Sequence, residues 1–290
     1  MEKPKMLFFI ISISLLLIVL SIRPIMAAAP QPAPNKHFVL VHGSGHGAWS
    51  WYKIVAPLRS SGHNVTAIDL AASGIDPRQA KTLRSISDFF QPLMDLMASV
   101  AADERVILVG HSLGGLAISQ AMERFPHKIS VAVFVTALMP GPSLNISTLN
   151  QESFRQTGSL HDSHYEYDDG PDKPPTTLIL GPLFLSTNVY QFSPTEDLAL
   201  ATMLMRPLRL FSEEDMSKEL KLSSENYGLV KRVFIISEKD YLSKIEFQRW
   251  MIEGNPPNQV VEISGSDHMV MMSKPLELLS HLQCIANTYS

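Results

Sequence analysis

Short apolar runs alternate with amphipathic stretches from His37 onward, and this alternation restricts the possible folds more than any other feature of the sequence. Four short segments are dominated by apolar and β-branched residues, and we predict them to be strands: 37–41, 65–69, 106–110 and 131–136. Between these strands lie three segments with apolar residues at helical spacing: 51–59, 86–100 and 113–124. Strands that alternate with helices predict a parallel sheet covered by crossover helices, which is an α/β fold.

The alternation stops after Pro140 and resumes near Val233. Residues 141–228 contain many prolines, an acidic turn at Asp168 and Asp169, and apolar clusters without a clear period. We interpret this segment as a cap inserted into the sheet domain. The pattern then continues as strand, helix, strand and helix, over residues 233–236, 245–252, 260–263 and about 275–287. The sequence therefore predicts one domain over residues 37–290 with one large insertion.

The first 29 residues have the pattern of a signal for the secretory pathway. Lys3 and Lys5 precede an uncharged run over residues 6–22, and alanines at 27–29 follow it. This order is typical of a cleaved signal peptide. The run is longer than the usual apolar region of such peptides, so an uncleaved signal anchor held in a membrane is the alternative.

Two further features fit the same route. Residues 30–36 are rich in proline and polar groups, and we interpret them as a linker to the folded part. N-glycosylation sequons occur at Asn64 and Asn145. We therefore expect a secreted or membrane-anchored protein rather than a cytoplasmic one.

The charge and cysteine content exclude several classes of site. The net charge of -4 comes from interspersed acids and bases, without the basic stripe that binding to a phosphate backbone requires, so we expect no nucleic-acid partner. The single cysteine, Cys284, cannot form an internal disulfide, and no Cys/His cluster has zinc spacing. We expect no metal site, and we expect Cys284 to be buried as a small hydrophobic residue.

Residues 110–114 are Gly-His-Ser-Leu-Gly and fit the G-x-S-x-G nucleophile elbow. In that motif a strained strand-to-helix turn lifts a serine hydroxyl clear of the sheet. The context fits as well, because an apolar strand precedes the motif and the small residues Gly115 and Ala117 open the following helix. We predict an α/β-hydrolase fold, with a mostly parallel central sheet flanked by helices and Ser112 as the nucleophile.

A serine nucleophile needs a base to accept its proton, and in this fold the base follows the acid in the chain. His268 lies in the loop after the predicted strand 260–263, from which an imidazole can reach the elbow. The alternative, His281, lies within the final predicted helix, where a surface role is expected. We predict that His268 is the base.

The acid that orients the base is expected just beyond the strand 233–236. Asp240 is the preferred candidate and Glu238 the alternative, since the reach of this loop cannot be deduced from the sequence. Asp267 adjoins the predicted base in sequence and is expected to be a solvated loop residue.

The oxyanion formed during acyl transfer requires two preorganised N–H donors. In this fold one donor is the amide of the residue after the nucleophile, here Leu113, and the other comes from the loop after an early strand. The loop at residues 42–47 is rich in glycine, and the amide of Ser44 is the preferred second donor. A triad supplies the proton transfers unaided, so we predict a mechanism without a cofactor.

With these residues identified, the chain resembles the plant methylesterase and hydroxynitrile lyase family of α/β-hydrolases, in particular its salicylic-acid-binding, methyl-ester-cleaving branch. The resemblance covers about residue 37 to the C-terminus and rests on six blocks: HFVLVHGSGHGAWSWYK, AIDLAASG, VILVGHSLGG, SPTEDLALA, EFQRW and SDHMVMMSKP. It implies the same triad and the same two oxyanion donors, and also implies that His46 and Met269 line the acyl pocket. The expected substrates are methyl esters of small apolar acids, of the salicylate, jasmonate or indole-acetate type.

The resemblance leaves two other functions to consider. Hydroxynitrile lyases of this family carry a lysine directly after the catalytic histidine and tend to carry a threonine after the histidine of the first loop. The chain has Met269 and Gly43 at these positions, which favours the esterase. A ligand receptor that has kept the hydrolase fold is the second alternative, and the intact triad argues against it.

Overall fold

A six-stranded parallel sheet forms the centre of the protein. The computed structural model describes residues 35–156 and 158–289. The strands lie in the order β2-β1-β3-β4-β8-β9, with bounds β1 His37–Val41, β2 Asn64–Ile68, β3 Val106–His111, β4 Ile129–Val135, β8 Arg232–Ser237 and β9 Gln259–Ile263. The predicted α/β-hydrolase fold class is confirmed.

Eight longer helices accompany the strands in the described part of the chain: α1 Tyr52–Ser60, α2 Ile86–Ser99, α3 Gly114–Arg124, α4 Ile146–Gln156, α5 Thr195–Leu204, α6 Glu213–Glu219, α7 Ile245–Gly254 and α8 Pro275–Thr288. Shorter helical turns are Ala48–Trp51, Ala80–Thr82, Pro126–Lys128, Pro182–Phe184, Leu185–Val189, Tyr227–Leu229 and Val270–Ser273. Local sequence explains several ends. At the start of α2, for example, the Ser85 hydroxyl accepts from the Asp88 amide while the Asp88 carboxylate accepts from the Ser85 amide.

Alternate residues of each central strand pack against different helices, because side chains along a strand point to opposite faces of the sheet. Phe38 and Leu40 belong to a buried cluster that also contains residues of α1 and α8. Val39 and Val41 belong to a second cluster with residues of α2, α3 and α7. Each large apolar side chain buried in this way contributes about 1.5–3 kcal/mol to folding. The sheet therefore has no solvated face along β1, which explains its continuous apolar run.

The segment between β4 and β8 holds a second, smaller sheet. Its strands are β5 His164–Glu166, β6 Thr177–Ile179 and β7 Leu208–Arg209, which pair antiparallel in that order. Helices α4, α5 and α6 belong to the same segment. We keep the name cap for residues 141–228.

Cys284 corrects one expectation from the sequence, because it is exposed rather than buried. The buried face of α8 is formed by Leu278, Leu282 and Ile285. Cys284 follows Leu282 by two positions, which turns it away from that face in a helix of 3.6 residues per turn. An apolar residue in an apolar stretch is thus not sufficient to predict burial.

The predicted signal segment at 1–29 and most of the predicted linker lie outside the described residues. Within the described part of the chain, no helix combines the length and the apolar character needed to cross a membrane.

Candidate active site

The carboxyl ends of four neighbouring strands bring the candidate residues together. Ser112, Thr136, Asp240 and His268 follow β3, β4, β8 and β9, which are adjacent in the sheet in that order. Because these strands are parallel, their carboxyl ends lie along the same edge, which is where α/β proteins bind ligands. Sequence separations of up to 156 residues therefore become contacts.

Ser112 occupies a strained turn between β3 and α3. Its φ is +52°, in the left-handed region that residues with a Cβ atom rarely adopt. The turn also requires a close approach of backbone to backbone, since a Cβ on Gly114 would stand 2.6 Å from the carbonyl oxygen of His42. Glycine at position 114 lets α3 start directly against the end of β1. The strain at Ser112 and this contact are the structural properties of a nucleophile elbow.

Ser112, His268 and Asp240 form a continuous hydrogen-bonded chain. The His268 Nε2 atom lies 3.0 Å from the Ser112 Oγ atom. On the other side of the ring, His268 Nδ1 lies 2.7 Å from Asp240 Oδ2. An Nδ1–H that donates to the carboxylate leaves Nε2 free to accept the serine proton. The arrangement can therefore activate Ser112 for attack on a carbonyl carbon.

Asp240 is buried and accepts hydrogen bonds through both carboxylate oxygens. Oδ1 accepts from the amides of Leu242 and Ser243 at 2.9 and 2.8 Å, and Oδ2 accepts from the Thr136 hydroxyl at 2.6 Å. These donors compensate the carboxylate for lost water and fix its orientation toward His268. Thr136 was not identified from the sequence. Its position directly after β4, at the same edge of the sheet as the other three residues, is the sequence signal that could have found it.

Glu238, the alternative acid, lies elsewhere in the same loop. Its carboxylate accepts from the Gly265 amide at 2.8 Å and pairs with Lys239 at 3.2 Å. The contact with Gly265 joins the loop that follows β8 to the loop that follows β9. The geometry therefore favours Asp240 over Glu238 as the partner of His268.

His111, next to the nucleophile, is a second buried imidazole at the site. Its Nε2–H donates to the carbonyl oxygen of His268 at 2.8 Å, which restrains the backbone of that residue. Burial, together with the neighbouring His268, lowers the pKa of His111 well below its usual value. His111 is therefore neutral, and it adds no positive charge beside His268 at neutral pH.

The first loop contacts the elbow directly. A Cβ on Gly43 would stand 2.8 Å from the Ser112 Cβ and 2.9 Å from the His111 Nδ1. The loop residues 43–46 form a turn, in which the His46 amide donates to the Gly43 carbonyl at 3.4 Å and Gly45 has a φ of +68°. The amides of Ser44 and Leu113 thus lie on the two backbone segments that flank Ser112.

Comparison with known proteins identifies the family. The model of the alpha/beta hydrolase family matches residues 38–281. The chain belongs to the alpha/beta hydrolase family.

Three relatives of this hydrolase are informative. Methyl jasmonate esterase 1 of Vitis vinifera is 55% identical over 257 residues, which cover 88% of this chain and 98% of the relative. Salicylic acid-binding protein 2 of Nicotiana tabacum is 46% identical over 258 residues, which cover 88% of this chain and 99% of the relative. Tomato methylketone synthase I is 58% identical in sequence to this chain. Its crystal structure, of a histidine-to-alanine variant complexed with beta-ketoheptanoate, matches with a TM-score of 0.85 and covers 88% of this chain and 98% of the synthase. The resemblance to plant methylesterases is confirmed.

Asp267 of the hydrolase corrects a second expectation, because it is fully buried rather than solvated. Its Oδ2 accepts from the Phe192 amide at 3.0 Å and the Ser193 hydroxyl at 2.8 Å, and its Oδ1 accepts from the Met269 amide at 3.0 Å. Burial raises the pKa of Asp267, and these hydrogen bonds oppose that shift. The residue connects the loop of His268 to the cap. Because the contacts of the cap could not be predicted from the sequence, the burial of Asp267 could not be predicted either.

The two predicted acyl-pocket residues are both buried. Met269 follows His268 and has no exposed surface. His46 uses both ring nitrogens within the protein, with Nδ1 2.7 Å from the Ser44 carbonyl oxygen and Nε2 2.6 Å from the Tyr190 hydroxyl. Their place in an acyl pocket remains a prediction. Among the described residues, no cluster of three or more histidine, cysteine or acidic side chains could hold a metal ion.

Proposed function

We propose that the protein is a serine carboxylesterase that hydrolyses methyl esters of small apolar acids. The observation that carries this proposal is the hydrogen-bonded chain from Ser112 through His268 to Asp240, with distances of 3.0 and 2.7 Å. The relatives named as esterases at 45–55% identity support the same reaction class.

The proposed reaction has two halves. His268 Nε2 accepts the hydroxyl proton as Ser112 Oγ attacks the ester carbonyl, and the tetrahedral oxyanion accepts hydrogen bonds from the amides of Ser44 and Leu113. The proton then passes from His268 to the leaving alcohol, and an acyl-serine remains. Water attacks the acyl group by the same route, which releases the free acid and returns the proton to Ser112.

Asp240 acts through the base in this mechanism. Its Oδ2 accepts from His268 Nδ1–H and stabilises the imidazolium that forms in both halves. The Thr136 hydroxyl and two loop amides hold the carboxylate in place. We assign Ser112, His268 and Asp240 as catalytic and Thr136 as a positioning residue.

We expect methyl salicylate, methyl jasmonate or methyl indole-acetate to be turned over at least about 100-fold faster than a simple aromatic cyanohydrin. An ester needs its oxyanion stabilised, whereas a cyanohydrin needs a cation near the departing cyanide, and Met269 provides none. The measurement is a substrate panel assayed with the wild type and with Ser112→Ala. Cyanide release that exceeds ester hydrolysis would indicate a lyase. Tight binding of a free acid without any turnover would indicate a receptor.

β-Keto acids are a second candidate substrate class. The tomato methylketone synthase I complexed with beta-ketoheptanoate is 58% identical to this chain, slightly more than the methyl jasmonate esterase at 55%. The panel therefore includes beta-ketoheptanoate and its methyl ester. Decarboxylation of the free acid is measured by its products, 2-hexanone and carbon dioxide. Ketone formed from the acid by Ser112→Ala at the wild-type rate would show decarboxylation independent of the nucleophile.

We further propose that the N-terminal segment directs the chain into the secretory pathway. The basic start, long apolar run and alanine-rich end support a cleaved signal peptide, with a membrane anchor as the alternative. Asn64 and Asn145 of the two sequons are both exposed. We expect N-terminal sequencing of the mature protein to begin near residues 28–30. An intact Met1 in a membrane fraction would indicate the anchor, and a full-length soluble chain in the cytosol would contradict both.

A further inference from the structure

The turn at residues 43–46 is held from two sides. On one side Gly43 packs against Ser112 and His111. On the other side the cap contacts the turn, because the Arg206 amide donates to the Gly45 carbonyl at 2.9 Å and the Tyr190 hydroxyl contacts His46. The turn that carries the proposed Ser44 donor is therefore also a contact surface for the cap.

Hydrogen bonding fixes one tautomer of His46. Its Nδ1 faces the Ser44 carbonyl oxygen at 2.7 Å, and a carbonyl only accepts, so Nδ1 carries the proton. Burial lowers the pKa of His46 to about 3, which keeps the ring neutral. Nε2 is then an acceptor, and the Tyr190 hydroxyl donates to it at 2.6 Å. Burial raises the pKa of Tyr190 well above its usual value, so that hydroxyl keeps its proton.

Loss of the Tyr190 hydroxyl would leave the His46 ring anchored on one side only. Nε2 would become a buried acceptor without a donor, which costs about 1–3 kcal/mol. The Nδ1–H tautomer would persist, because the other tautomer would place an acceptor against the Ser44 carbonyl oxygen and leave Nε2–H without an acceptor. The ring would turn toward a new partner for Nε2, and the Ser44 carbonyl and the amide of the same residue would lose their fixed direction.

We propose that Tyr190 of the cap is a positioning residue for the oxyanion hole: its hydroxyl anchors Nε2 of the His46 ring, whose Nδ1–H holds the Ser44 carbonyl. The inference rests on the esterase mechanism proposed above, in which the Ser44 amide stabilises the oxyanion. Through this chain of contacts the cap acts on the transition state.

The test compares Tyr190→Phe with Tyr52→Phe. The Tyr52 hydroxyl also joins the cap to the sheet domain, by donating to Asp197 at 2.7 Å, and Asp197 lies outside the turn. We expect Tyr190→Phe to lower kcat about 10-fold, less than the loss of an oxyanion donor, with KM unchanged within about twofold. Inhibition by an aryl trifluoromethyl ketone, which forms a tetrahedral adduct with serine, weakens by the same factor. Tyr52→Phe leaves kcat and the inhibition within about twofold of the wild type, since it keeps the turn intact.

Two further measurements make the route through His46 testable. In the His46→Asn variant the amide of Asn replaces the Nδ1–H donor, so adding Tyr190→Phe causes no further loss. The Nδ1–H resonance of His46 reports its hydrogen bond to the Ser44 carbonyl, and we expect a slowly exchanging, strongly downfield-shifted proton in the wild type and a faster-exchanging, less shifted one in Tyr190→Phe. Equal kcat in the wild type and Tyr190→Phe, or an unchanged Nδ1–H resonance, would overturn the inference. An inert wild type whose Nδ1–H resonance responds to Tyr190→Phe as expected would instead contradict the esterase mechanism.

Discussion

Ser112→Ala and His268→Ala are each expected to lower kcat/KM for methyl ester hydrolysis at least about 1,000-fold, because members of a triad act as a unit. Removal of the hydroxyl leaves no nucleophile, and removal of the imidazole leaves the hydroxyl proton without an acceptor. Asp240→Asn is expected to lose activity as well, since an amide in place of Oδ2 no longer fixes the Nδ1–H tautomer of His268. Initial rates on a methyl ester of the panel provide the measurement.

Glu238→Gln is the matched control for Asp240→Asn. Both changes replace a carboxylate by an amide in the loop after β8, but Glu238 contacts Gly265 and Lys239 rather than His268. We expect Glu238→Gln to retain activity within about threefold, the scale of a surface ion-pair change. Circular dichroism and thermal unfolding check that each variant is folded. Near-parental hydrolysis by Ser112→Ala would contradict the mechanism, and loss in Glu238→Gln with retention in Asp240→Asn would transfer the acid role to Glu238.

The strands and the site residues that follow them were accessible to prediction because they are local signals. Apolar runs located all six strands of the central sheet, with ends within about two residues of the observed ones. The loop after each strand is then placed at one edge of the sheet by the parallel order alone. Ser112, Asp240 and His268 could be selected in this way before any contact was known.

The contacts of the cap could not be predicted in the same way. Asp267 is buried because it accepts from the amide of Phe192 and the hydroxyl of Ser193, which lie in a segment without a helical or strand period. Tyr190 contacts His46 across 144 residues of sequence. Such partners depend on how the cap folds back onto the loops. A pattern read along the chain contains no information about that arrangement.

Gly43→Ala tests a contact that the sequence analysis did not predict. This chain has glycine at position 43, where lyases of the family tend to carry threonine. The structure supplies a steric reason for the glycine in this chain. A Cβ at this position would stand 2.8 Å from the Ser112 Cβ and 2.9 Å from the His111 Nδ1. Neither neighbour can yield easily. Ser112 lies in a strained turn, and the buried His111 ring is held by its hydrogen bond to the His268 carbonyl.

The first loop must therefore move away from the elbow in Gly43→Ala, and the Ser44 amide moves with it. We expect kcat to fall about 10- to 100-fold, approaching the loss of one oxyanion donor, and stability to fall by about 1–3 kcal/mol from overpacking. Gly228→Ala is the matched control, because the nearest atoms to a Cβ there stand at 3.7 and 3.8 Å, an ordinary contact distance. Steady-state kinetics and thermal unfolding of both variants provide the measurement. A Gly43→Ala enzyme with parental kcat would show that the loop and Ser112 can separate without disturbing the oxyanion donors, which would refute the close coupling of loop and nucleophile described here.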